Sequence, residues 1–317
     1  MSPWECPAAF TLIPYVERKY GIFHVIGGLN AISAAMAKAA AENGAAIRLG
    51  RPVKEIITEN GRATGVLLAS GETDTADEVI INADFGYAMT HLFRPGLLKK
   101  YTPERVAQKK YSCSTFMIYL GVGKKYDIAH HNIYFSKDYE GNVRDIFSNL
   151  RISDEPSFYL QNASVTDPTL APPGKSTIYI LVPMPNNMSG IDWAQEKDAF
   201  RERILDLVVA RTPMKDLRDH IEAEKVITPA DWENEHHVYT GATFNLAHNL
   251  LQRQVQHPQH RPVVLDQGDI DGEFTGAREE LPGAIERIHQ PVARPMAPPR
   301  QGGRRRFFRQ QRERWRQ

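Results

Sequence analysis

The chain has 317 residues, 42% of them hydrophobic and 24% charged, with a formal net charge of +1. That is enough for one large or two ordinary cores, and the near-neutral balance gives no global reason to expect a nucleic acid or an acidic surface as partner. No run of about 18 apolar residues suggests a membrane-spanning helix, residues 1–10 do not read as a leader, and Cys6 and Cys113 read as free thiols of a reducing compartment, so a cytoplasmic location is expected.

Residues 2–20 are apolar and aromatic, broken by Pro3, Pro7 and Pro14, and a helix carrying Trp4, Ala8, Phe10, Leu12 and Ile13 would want a partner surface. Gly27-Gly28 opens a helix expected over 29–43, where Leu29, Ile32, Met36 and Ala39 recur at helical spacing and form one apolar stripe. Asn43-Gly44 ends it, since glycine tolerates the left-handed geometry that follows a helix. Short β runs follow at 46–49, 53–58, 62–68 and 79–81, with Asn60-Gly61 and Ser70-Gly71 as turn signals. Periodicity alone gives a half-buried α/β unit over residues 21–84.

Short helices are expected at 85–93 and 103–110. The run 114–123 is apolar on both faces, with Phe116, Ile118 and Leu120 alternating with Met117 and Tyr119; both faces are buried, or one lines an apolar cavity. Further runs at 130–135, 157–162 and 176–183, separated by long turns such as 167–174, point to an antiparallel sheet. Residues 192–210 read as an amphipathic helix with Trp193, Phe200, Ile204, Leu207 and Val208 on one stripe, and Thr228-Pro229-Ala230-Asp231 is a helix start. Residues 217–228 receive no element of their own. From Leu251 to Gln317 there are 13 Arg and no Lys, whereas the preceding residues hold 12 Arg and 14 Lys. With Gln and Pro rising too, this composition reads as a disordered, solvated tail; the alternative is that its basic-aromatic end holds RNA or anionic lipid.

Six stretches occur in order: SPWECPAAFTLIPYVERKYGIFHVIGGLNAI; INAD; SCSTFMIYLGVGKKY with AHHNIYFSKDY; VTDPTLAPPGKSTIYILVPMP; IDWAQEKDAFRERIL; and VITPADWENEHHVYTGATFNLAHNL. Together they resemble the bacterial carotenoid desaturases, the phytoene and dehydrosqualene desaturase family of FAD-dependent, amine-oxidase-like flavoproteins. The resemblance implies an α/β (α+β) fold. An incomplete Rossmann-like FAD-binding domain would stand beside a substrate domain with a mostly antiparallel sheet and flanking helices. The implied partition is a substrate-domain segment at 1–20, a partial FAD-binding domain at 21–90, the substrate domain at 91–228, a return at 229–250 and the tail at 251–317. It also implies FAD as cofactor and an apolar polyene drawn from a membrane as substrate, with peripheral contact to the membrane's inner face and no nucleic acid. No GxGxxG occurs, and the Gly-rich segment such proteins carry after the position of Leu250 is replaced by the Arg-rich tail. The chain therefore reads as a C-terminal piece with an altered frame at its end. An exposed apolar edge over 21–84 and weak or no FAD affinity are expected. Two other readings stay open: an inactive remnant, and a related isomerase or oxygenase.

Carried over from the resemblance, the cofactor-side candidates are Gly27, Gly28, Val53, Asn82, Ala83 and Asp84. No catalytic residue is assigned. The substrate-tunnel candidates are Phe116, Tyr119, Tyr134, Tyr159 and Tyr179, since a polyene needs a long apolar passage with few polar groups. Each residue also has an ordinary place as a strand core, turn or helix-entry residue. His130-His131 and His236-His237 are no metal sites on this reading, because neighbours on a strand point to opposite faces.

Overall fold

The computed structural model describes residues 2–247 and a short strand at 263–264. Two 3-10 turns, Pro3–Glu5 and Ala8–Thr11, lead into helix α1, Leu12–Tyr20. Pro14 does not break α1: it lies in the first turn, where backbone N–H groups have no intrahelical acceptor to lose. Helix α2 covers Asn30–Glu42 and has no buried residue; neither has α1. Leu29 is 77% and Met36 68% exposed, so the apolar edge expected of this stretch is present. The β run expected at 46–49 does not form a strand; Ile47 and Leu49 are exposed and Arg48 pairs with Asp74. Apolar β-formers become a strand only against a partner strand.

Strands β1, Val53–Glu59, and β2, Arg62–Leu68, form an antiparallel hairpin. Its turn is Asn60-Gly61, with φ of 52° and 80°, the two positive values a primed two-residue turn requires. Strand β3, Thr73–Thr75, extends the hairpin to three strands, and β4, Ile80–Ile81, follows. Helices α3, Phe85–His91, and α4, Pro103–Ala107, together with the segment between them, pack Met89, Leu92, Tyr101 and Val106 against Ile56, Ala63 and Tyr111 in a small core closed by Leu246.

A larger core is built on strands β5, Ser114–Val122; β6, His131–Tyr134; β7, Phe158–Asn162; and β8, Ser176–Met184, with short helix α5, Tyr139–Arg144, between β6 and β7. Helix α6, Trp193–Arg211, crosses one face of the sheet. Side chains alternate along each strand. Phe116, Ile118, Leu120, Phe158, Leu160, Ile178 and Ile180 therefore meet Phe200, Ile204, Leu205 and Val208 of α6 in a dry layer. Strand β9, Ile221–Ile227, completes an all-antiparallel sheet of order β6-β7-β8-β5-β9. Its sequence, IEAEKVI, hides the strand from periodicity because charged residues blunt a sheet edge. Helix α7, Pro229–Asn234, starts with a reciprocal capping box between Thr228 and Asp231, as the Thr-Pro-Ala-Asp run predicts. Finally β10, Val263–Val264, pairs antiparallel with β4. This strand lies inside the stretch composition assigned to a disordered tail: β-branched residues pair with an available strand whatever the flanking composition. The rest of that tail lies outside the described residues.

Candidate functional site

The face of the five-stranded sheet turned away from α6 is aromatic. Register places Tyr119 opposite Tyr179, and Met117 opposite Leu181 with Tyr159 beside it. The Tyr119 and Tyr179 rings lie 5.8 Å apart and those of Tyr159 and Tyr179 5.6 Å. Tyr119 is 37% exposed and Ile133 63%, so this face carries apolar surface open to a ligand. Burial, then the neighbouring Tyr159, pushes the Tyr179 phenol well above its ordinary range, so the face bears no phenolate charge near neutral pH. The structure thus unites three of the five tunnel candidates. Phe116 and Tyr134 do not join them. Phe116 is fully buried under α6 against Phe200 and Trp193. Tyr134 stacks on Phe158, a residue of the same α6 core, at 4.8 Å. Strand alternation sends both to the other side of the sheet.

The Gly27-Gly28 turn is docked beside this sheet. Both glycines have positive φ, 85° and 84°, and a Cβ on Gly28 would stand 3.4 Å from Leu170. The Gly27 N–H donates to Asp167 Oδ2 at 2.7 Å, and His24 Nε2 lies 3.1 Å from the same oxygen. Asp167 Oδ1 accepts from the Thr169 hydroxyl at 2.6 Å and the Thr169 N–H at 3.0 Å. From His24 a series of rings leads back to the sheet. His24 meets His130 edge-on at 5.1 Å, His130 stacks on His131 at 4.1 Å, and His131 Nδ1 reaches the Tyr159 hydroxyl at 2.5 Å. The alternation expected of His130-His131 does not hold because His130 precedes β6 and is not bound by strand geometry. The pair stacks rather than splaying apart. Burial, then the neighbouring His131 and His24, hold the His130 imidazole below its ordinary pKa.

Hydrogen bonding by the Thr169 hydroxyl first, then by Gly27 and His24, holds the Asp167 carboxyl well below the usual carboxylate range. A carboxyl depressed in the folded state adds stability above its unfolded pKa and loses it as pH falls through the folded value. Stability is therefore expected to fall on acidification below about pH 4, and Asp167→Asn to flatten that fall. Urea midpoints at pH 5 and pH 3 for the two chains measure it; equal acid sensitivity would contradict the assignment.

The remaining cofactor-side candidates bond elsewhere. Val53 opens β1, paired with Leu68. Asn82 and Ala83 are exposed in the turn after β4. Asp84 caps α3 through the Tyr87 N–H at 2.9 Å and ties the returning chain through the Tyr239 N–H at 3.3 Å and Asn245 Nδ2 at 3.0 Å. Burial raises its pKa against those stabilising hydrogen bonds. Its carboxylate oxygens thus hold this chain's own backbone and side chain. A positive-φ pair stands before a 13-residue helix that has no side-chain cap, an end whose dipole suits an anionic group, while the Gly27 and Gly28 N–H groups themselves are held by Asp167 Oδ2 and the Val25 carbonyl.

Sequence reading did not single out Asp167, His24 or Leu181. Leu181 and the tyrosines share a face only once the registers are known. Asp167 lies in a Pro-rich run whose visible signal is a turn. Among the described residues no group of three His, Cys, Asp or Glu could hold a metal ion. Both cysteines are free thiols, and no described helix is long and apolar enough to cross a membrane. A separate polar cleft of about 440 Å³ includes Asp138, Arg144, Asp145 and Arg151 in its lining. Its buried carboxylate, Asp145, is already held by Arg151, Asn149 and Ser153.

The family model for flavin containing amine oxidoreductases matches residues 5–268, running past Leu250, where the motif resemblance stopped. The chain is 57% identical over 286 residues to a 4,4'-diapophytoene desaturase (4,4'-diapolycopene-forming) of Methylomonas sp, covering 90% of this chain and 56% of that protein. It is 39% identical over 258 residues to an all-trans-zeta-carotene desaturase of Myxococcus xanthus, 80% and 48% of the two chains. A crystal structure of an oxidoreductase from Methanosarcina mazei overlays with a TM-score of 0.46 at 17% identity, over 69% of this chain and 46% of that one. The chain spans about half the length of the curated relatives it matches. With the family model matched across most of its length and the resemblance to carotenoid desaturases upheld, the chain belongs to the flavin containing amine oxidoreductase family.

Proposed function

We propose that the chain takes part in FAD-dependent desaturation of a carotenoid precursor, 4,4'-diapophytoene or a related linear polyene. The observation that carries this reading is the aromatic face formed by Tyr119, Tyr159 and Tyr179 with Met117 and Leu181. A polyene has no groups for hydrogen bonding, so its binding rests on apolar area and water exclusion. This face supplies neutral rings in a row. Hydrogen bonding of the Tyr159 hydroxyl to His131 holds one ring in place. Bound FAD would supply the hydride acceptor that removal of hydrogen from a carbon–carbon bond needs. On this reading the Gly27-Gly28 turn would aim the N-terminal end of α2 at the flavin, while Asp84 would hold the returning chain.

The relatives' names support the substrate class. Since such polyenes partition into bilayers, we place the working protein at a membrane surface on the cytoplasmic side.

The test is incubation of purified chain with FAD and vesicles containing 4,4'-diapophytoene, followed by flavin absorbance and the polyene spectrum. Flavin uptake at high FAD concentration and a red-shifted polyene are expected. A colourless protein with an unchanged polyene spectrum would favour an inert remnant.

A further inference from the structure

We propose that Asp167 is a positioning residue for the cofactor side of the site, an inference that rests on the reading above: its carboxylate fixes where the Gly27-Gly28 turn stands relative to the aromatic face. The argument begins with what the preceding segment lacks. No residue from 2 to 50 is buried, so apolar packing does little to place this stretch. A segment held weakly by packing takes its position from its few directed contacts. Among these, the Asp167 contact is the best formed. The Asp167 side chain is 1% exposed while that of His24 is 22% exposed, so water competes little at the carboxylate end.

The two carboxylate oxygens divide the work. Oδ1 binds Thr169 within its own loop, which fixes the orientation of the group. Oδ2 then faces the Gly27 N–H and His24. A charge-assisted hydrogen bond from a buried, preoriented acceptor is both shorter and stronger than a neutral one. Leu170, three residues further on, meets the place a Gly28 Cβ would occupy, so one loop grips the turn by a polar and an apolar contact. The same loop joins β7 to β8, the strands that carry Tyr159 and Tyr179. Any shift of Asp167 therefore changes the separation between the glycine turn and the aromatic face. The ring series His24, His130, His131, Tyr159 gives a second route between the two.

The test uses the full chain with Asp167→Asn and Asp167→Ala. Hydrogen exchange in peptides covering residues 22–29 reports the latch. FAD titration, followed by flavin fluorescence and visible absorption, reports its consequence. Thermal melting of the sheet should move by a few degrees at most in Asp167→Asn, which keeps a carbonyl acceptor and serves if Asp167→Ala loses the fold. Exchange at the turn should rise, and FAD affinity fall, by about tenfold, with the flavin's visible band displaced. Variants that free the turn yet bind FAD with wild-type affinity and spectrum overturn the positioning role and leave the proposed function standing. Unchanged exchange at the turn overturns the latch itself. A wild-type chain that takes up no FAD overturns the cofactor reading and this inference with it.

Discussion

Phe116→Ala is expected to lower the stability of the sheet by about 3–5 kcal/mol, the range for removing a fully buried aromatic ring. Phe116 has no exposed surface. Its ring meets Phe200 edge-on at 4.9 Å and Trp193 at 5.5 Å, so truncation removes two aromatic contacts and leaves a cavity under α6. Urea unfolding followed by tryptophan fluorescence measures it, because Trp193 belongs to the same cluster. Tyr119→Ala, three residues along the strand on the other face, should cost about 1 kcal/mol, since its side chain is already part exposed. Equal losses from the two substitutions would refute the division of the sheet into a core face and an open face.

The second large effect is on ligand retention. Tyr179→Asp places a carboxylate between the Tyr119 and Tyr159 rings, in the middle of the aromatic row. An ionised group under an apolar chain must either shed its water or keep it, and either costs binding. Retention of 4,4'-diapophytoene from vesicles should fall by about tenfold or more. Tyr179→Phe, which keeps the ring and loses the hydroxyl, should retain it. Flotation of vesicles followed by extraction and chromatography gives both numbers. Wild-type retention by Tyr179→Asp would remove the aromatic face from the proposed site.

The two substitutions show why the site was partly legible in the sequence. The run 114–122 has apolar residues on both faces, so alternation identifies the strand and leaves open which set faces a helix and which a ligand. Phe116 and Tyr119 were equal candidates on that ground; α6 covers one and leaves the other open. Tyr134 was misplaced for the same reason, stacking on Phe158 of the covered core. The glycine pair was visible because positive φ demands it. Its acceptor was not, since Gly27 and Asp167 lie 140 residues apart and hydrogen-bond complementarity at that range leaves no local pattern.

Local chemistry determined the elements that depend on neighbours in the chain. The Asn60-Gly61 hairpin, the helix after Gly27-Gly28, the capping box at Thr228 and the long helix α6 all follow from dihedral preference, capping or the 3.6-residue stripe. Motifs in order determined the family. Tertiary structure decided what needs a partner. Residues 46–49 have β-forming side chains and form no strand, while the charged run of β9 is a strand because β5 presents it a free edge. The stripe of α2 is apolar by sequence, yet Leu29 and Met36 remain exposed because periodicity defines a face and only packing supplies what covers it. The aromatic row and the Asp167 latch belong to this second class: each exists through contacts between residues far apart in the chain, brought together by sheet register and loop geometry.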